Sequence, residues 1–275
     1  MTTTIGDIHD ANDHDANDRD DRDLNGRDDH ANDPPAALLD TADIARFFER
    51  HEPDLYYECK REFDREVDLN PYKRHSEAVL NLVRWMFYDW FAFECAIVMT
   101  GKENADGYPQ TRRVPRGEGI SPFGYMTELA HVQDMIDDAV RSDLKEVDAT
   151  NKATIFWIRD ANAATQRMRL EDVMHGGEYT VYGGDLAARY DGAHGGMLVN
   201  RIARVRGMWR FCAVCLYESR RPDTPRARQK LLTGFGKGGY QPDFPGLVRF
   251  FYGRAKDTGL DWEETEALLR RRRKR

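Results

Sequence analysis

Apolar side chains recur every three or four positions through the first half of the chain and every second position from Thr154 onward. That change of period predicts helices followed by strands. A first helix opens at Asp40, a capping residue, and carries Ile44, Phe47 and Phe48 as its stripe until Pro53 ends it. A second places Leu55, Cys59 and Phe63 on one face, and "NPYKRHS" breaks it. A long helix is then expected over about Ser76–Met99, with a polar stripe of Glu77, Asn81, Arg84 and Tyr88 in its first half. Its second half, within "WMFYDWFAFECAIV", is apolar nearly all round, which marks a buried central helix. Residues 100–120 read as loop, and Ser121-Pro122 opens another helix to about Val140. The strands that follow are "TIFWIRD", "RMRL", "EYTVY", "MLVNRIARV" and "MWRFCAVCLY", the last two joined by a tight "VRGM" link. The fold class is therefore α+β: an N-terminal helical bundle, a small antiparallel sheet or open barrel, and C-terminal helices.

Composition divides the chain further. Residues 1–33 hold eleven Asp and three Arg, a net of −8, so the other residues carry +1 of the −7 total. The segment has three aliphatic side chains and no aromatic, too little apolar surface to offset chain entropy, so a disordered acidic tail is expected. The divisions expected are tail 1–33, helical domain 34–150, β-rich module 151–220, and a loop with C-terminal helices and a basic end over 221–275. Inside the tail, Asp21, Asp23, Asn25 and Gly26 match the start of a calcium loop, but Asn32 stands where a bidentate acid is required. Diffuse cation attraction is the better account. The N-terminus lacks the basic and apolar regions of a secretory signal, and the four cysteines form no disulfide framework, so a cytoplasmic protein is expected. Charges at Arg84, Asp89 and Glu94 break the aromatic stretch into runs far shorter than the roughly 20 residues of a bilayer span, so no membrane role is expected.

Several motifs suggest chemistry and lack its context. Asp89 and Glu94 lie about 140° apart around a helix, so each should meet an Arg or a helix N-terminus rather than the other. Glu128 and His131 are half of a di-iron signature with no second half. "MHGGEY" and "AHGGML" lack a nucleophile elbow and read as turns with exposed His175 and His194. Cys212 and Cys215 fall in a strand-like run, where residues three apart face opposite sides, so two buried thiols are expected. "GFGKGG", Gly234–Gly239, follows a short helix rather than a strand and reads as a mobile connector. No cofactor and no metal are expected.

The order "RWMFYDWFAFE", "RLEDVMHGGEYTVY", "GGMLVNRIARVRGMWRF" resembles a loose group of uncharacterised bacterial proteins over about residues 80–217. In that group a helical half precedes a small β-rich module, sometimes with a zinc-binding SEC-C tail; here the chain ends in "RRRRKR" instead. The resemblance implies the helical-then-β layout and no activity.

Positive charge supplies the remaining signal. Arg201, Arg204, Arg206, Arg210, Arg220, Arg221, Arg226, Arg228 and Lys230 cluster in 201–230, and Arg270, Arg271, Arg272 and Arg273 stand in the all-basic end. That end closes a helix beginning at Asp261, where Glu264 completes a capping box. These residues are the candidate nucleic-acid contacts, with Trp209, Phe211 and Tyr217 nearby as stacking rings. The expected function is an interaction protein that binds nucleic acid, another polyanion or an acidic protein through an Arg-rich face. The alternative is an enzyme whose site draws on Asp89, Glu94, Glu128, His131, His175 and His194.

Overall fold

The computed structural model describes residues 39–67, 77–213, 215–219 and 224–253. The tail, the candidate calcium loop and the helix at Asp261 lie outside them. Helix α1 (Thr41–His51) starts where Asp40 Oδ1 accepts the Ala42 N–H at 2.8 Å. It buries Ile44 and Phe48 against α2 (Pro53–Val67) and α3 (Glu77–Glu94). Phe48, Tyr56, Phe63, Phe87, Trp90 and Phe91 meet there at ring separations of 5.3–6.3 Å. The aromatic stretch is thus the filling of a helical layer.

Several boundaries differ from the sequence expectation; the run expected as one strand over 208–217 breaks after Phe211, which leaves Cys212 and Cys215 outside strands and half-buried rather than buried. The long helix stops at Glu94, and β1 (Ala96–Glu103) pairs antiparallel with β2 (Pro109–Val114) where a loop was expected. The short apolar run after Glu94 fits either period, and pairing decides it: Ile97 is buried and exchanges backbone hydrogen bonds with Ile120. Likewise the helix expected to reach Val140 is two, α4 (Pro122–Val132) and α5 (Asp138–Thr150). Asp134 takes φ +55 between them, and Asp137 Oδ1 accepts the Val140 N–H at 2.8 Å to cap the second.

Five strands then close a barrel: β3 (Lys152–Asn162), β4 (Arg167–Asp172), β5 (Glu178–Tyr182), β6 (Met197–Val205) and β7 (Met208–Phe211). Hydrogen bonding runs β3–β4–β5–β7–β6 and returns from β6 to β3. All neighbours are antiparallel except β5 and β7, which are parallel. β8 (Tyr217–Ser219) adds to β6 outside the ring. The β6–β7 link is the expected tight hairpin, with Arg206 at φ +50 and Gly207 at φ +79, both left-handed as a primed turn requires. Counted along the chain, the barrel order is one-two-three-five-four, closing on one, with three and five parallel. That is the connectivity of the OB-fold, a Greek-key barrel. Between its third and fourth strands lies α6 (Asp185–Arg189), whose Ala187 packs with Phe156, Leu170, Val181 and Ile202 in the barrel core.

The chain continues into α7 (Pro225–Lys237), α8 (Phe244–Val248) and a π-helical turn over Arg249–Gly253. Helix α7 runs through Gly234 and Gly236, so the glycine connector expected at 234–239 is mostly helix. Phe235 sits between those glycines and is buried on Phe250 and Tyr240, and that packing outweighs glycine's poor propensity.

Candidate nucleic-acid interface

Because strand residues alternate, the outside of the barrel is a second surface, and its two halves differ. On β3 and β6 the outward residues Ile155, Trp157, Val199, Arg201 and Ala203 are all buried. Helices cover them. Arg201, 1 % exposed, is among the largest fully buried side chains. Its Nε donates to Asp89 Oδ1 at 2.9 Å, and its Nη1 donates to Glu94 Oε1 at 3.0 Å and Asn151 Oδ1 at 2.6 Å. Phe93 and Phe244 lie over the guanidinium at 4.9 and 5.2 Å. Asp89 and Glu94 therefore each find an arginine, as expected: Arg201 serves both, and Glu94 Oε2 also pairs with Arg116 at the surface. Burial raises the Asp89 pKa, and Arg201 pulls it partly back. For Arg201, burial works against the charge, and the two carboxylates outweigh it, so its pKa is raised. The expectation that Arg201 faces solvent and a polyanion is corrected: helices and two aromatic rings close over it. Asp89 does line a small cleft with Trp85, Leu216 and Phe244, and among the described residues no histidine lines it.

Apart from Arg210, the other candidate cations divide into three sets. Arg204 pairs with Glu146 at 2.8 Å, Arg206 with Asp143 at 2.6 Å, and Arg228 with Glu171 through two bonds of 2.6 and 2.8 Å. These three tie the barrel to α5 and α7 rather than forming a continuous basic face. Arg226 and Lys230 are exposed on α7. Arg220, Arg221, Arg270, Arg271, Arg272 and Arg273 lie outside the described residues. The acids and bases of the enzyme alternative occupy separate places. Glu128 binds Arg141 and Lys145, whose hydrogen bonds lower its pKa. His131 meets Asp138 at 2.9 Å, His175 meets Asp172 at 3.3 Å, and His194 lies on Arg159 O at 3.2 Å. Among the described residues no group of three or more His, Cys, Asp and Glu could hold a metal ion. Burial pushes the Cys212 thiol up to about 12 and Cys215 up to about 11, so both stay protonated at neutral pH.

Among the described residues, no helix layer covers the outer face of β4, β5 and β7 at the start of β4. Met168 and Leu170 point inward, so Arg167 and Arg169 point out. Val181 points inward, so Thr180 and Tyr182 point out. Trp209 and Phe211 pack on the core, which turns Arg210 outward. Register then aligns Arg167 with Tyr182, and Tyr182 with Arg210, in one row across three strands. Arg169 and Thr180, both exposed, form the next row. Tyr182 is half-buried, and its hydroxyl donates to Gln166 Oε1. A third row pairs Glu171 with Glu178; Arg159 reaches both and Arg228 clamps the first. The result is a tyrosine flanked by two guanidinium groups on the outer face of the sheet, all three half-buried, with burial lowering the Arg210 pKa. Of the sequence candidates, only Arg210 belongs to it. Arg167, Arg169 and Tyr182 went unnoticed, although "RMRL" and "EYTVY" carry the alternation that places them on one face.

No protein family, curated protein or solved structure matches this chain. Among the described residues no helix is long and apolar enough to cross a membrane.

Proposed function

We propose that this chain binds single-stranded nucleic acid on the outer face of β4, β5 and β7. The observation that carries the reading is the Arg167–Tyr182–Arg210 row. A phenol ring stacks on any base, and guanidinium groups on either side pair with phosphates or stack on neighbouring bases. OB-fold connectivity supports it, because the second and third strands of that fold commonly take oligonucleotides or oligosaccharides. Two cations in the row favour the anionic ligand over the neutral one. The enzyme alternative keeps one local arrangement, Asp172 receiving both Lys152 and His175, but Asp172 also accepts the Met174 and His175 N–H groups and so serves to fix the β4–β5 turn.

The test is fluorescence anisotropy of the full chain with a labelled oligothymidylate. Tyr182→Ala should weaken binding by about 1–3 kcal/mol, the usual worth of one stacked base, while Tyr182→Phe should keep most of it. Equal affinity for wild type and Tyr182→Ala would reject the face as the site.

A further inference from the structure

We infer that helix α7 is a second contact element, a phosphate rail that extends the footprint beyond the strand row; this rests on the nucleic-acid reading above. Leu231 and Phe235 are the buried residues of α7, and they fix which side of the helix faces inward. At 100° per residue, Arg226, Lys230 and Lys237 fall within about 40° of one another, on the side opposite that pair. All three are exposed. None pairs with a carboxylate among the described residues, which separates them from Arg159, Arg204, Arg206 and Arg228.

The helix is held beside the proposed face. Arg228, on its inward side, makes the two-bond clamp to Glu171, and its guanidinium lies 5.8 Å from the Trp157 ring centre. Glu171 is on β4, on the same outer face as Arg167 and Arg169. The clamp uses one cation of α7 to seat it and leaves three for a ligand. From Arg226 to Lys237 the stripe runs roughly 16 Å along the helix, the length of about five nucleotides of stacked strand. Lysine and arginine on a helix read phosphate charge without reading base identity, so the rail should add length-dependent, sequence-independent affinity. The ligand class is a single strand longer than the strand row alone can hold.

The experiment compares wild type, Tyr182→Ala and the combined Arg226→Gln, Lys230→Gln, Lys237→Gln variant. Each full chain is titrated with oligothymidylates of about 8 and about 25 nucleotides, spanning the range of a single OB-fold site and beyond. For the long oligomer, the triple variant should bind about tenfold or more weakly at low salt. Its log Kd against log salt slope should fall by about 2, from three lost single-strand contacts. For the short oligomer, its affinity should stay within about twofold of wild type. If the triple variant matches wild type on the long oligomer while Tyr182→Ala weakens both, the rail is wrong and the strand face stands. If wild type binds neither oligomer, both fall.

Discussion

Arg201 on β6 and Arg210 on β7 belong to one hairpin of one barrel, and both point away from the barrel core. Arg201 is sealed between two aromatic rings with two carboxylates and an amide for partners. Arg210 stands beside Tyr182 on a face that, among the described residues, no helix layer covers, and it is half-buried. Nothing in the residue type separates them. What differs is which half of the barrel's outside the described helices cover, and hence whether the guanidinium is shut away from solvent or stays within reach of a ligand. The same comparison holds for acids. Asp89 and Glu94 lie on a central helix and converge on the barrel through Arg201, whereas Glu171 and Glu178 lie on the open face and are held by arginines at its edge.

The sharpest way to break the comparison is to remove Arg201. Arg201→Ala leaves Asp89 and Glu94 buried without their shared cation and should cost about 3–5 kcal/mol of unfolding free energy, read by urea denaturation. Replacing Arg201, Asp89 and Glu94 together by apolar residues of similar size should recover most of that loss, since the desolvation cost disappears with the charges. Arg210→Ala is the matched control. It should lower oligonucleotide affinity several-fold and change stability by about 1 kcal/mol or less, as for a partly exposed charge. A stability loss for Arg210→Ala as large as that for Arg201→Ala would erase the distinction between the faces.

A smaller effect follows from pH. Burial raises the Asp89 pKa above 3.8, so the folded chain keeps a proton that the unfolded chain releases. The stabilising contribution is fully present below about 3.8 and is lost as pH rises through the folded value. Asp89→Asn should remove this slope, seen as a stability difference between variant and wild type that changes across mildly acidic pH. Parallel curves would show that Asp89 titrates as it does in the unfolded chain. The smallest expected change is at the turn that joins the two arginines' strands. Gly207 sits at φ +79 with nothing within 4 Å of where a Cβ would stand, so Gly207→Ala strains only the backbone, by about 1 kcal/mol. Differential scanning calorimetry should show a drop of a few degrees, with oligonucleotide affinity unchanged.

How much of this was legible in the sequence varies by element. The α1 cap at Asp40, the α4 start at Ser121-Pro122 and the "VRGM" turn are local, and side-chain chemistry within a few residues fixes each. The β1–β2 hairpin was not legible, because "AIVMTGKE" fits a helix end as readily as a strand and only pairing with "PQTRRV" decides. The candidate site shows the same limit. A count of cations over 201–230 finds Arg201, Arg204, Arg206 and Arg228 alike, yet they spend their charge on Asp89, Glu94, Glu146, Asp143 and Glu171, which are remote in sequence.

By itself the sequence determined the period of each segment, the helical half followed by strands, the aromatic filling around Trp90 and the need of Asp89 and Glu94 for partners. The tertiary structure decided that the strands close into a ring, that one arginine serves both acids, and that Arg167, Tyr182 and Arg210 share a row. The physical reason is range. Periodicity and caps act between neighbours along the chain, whereas the fate of a charge depends on what the fold brings over it, and barrel closure sets that for every outward side chain at once.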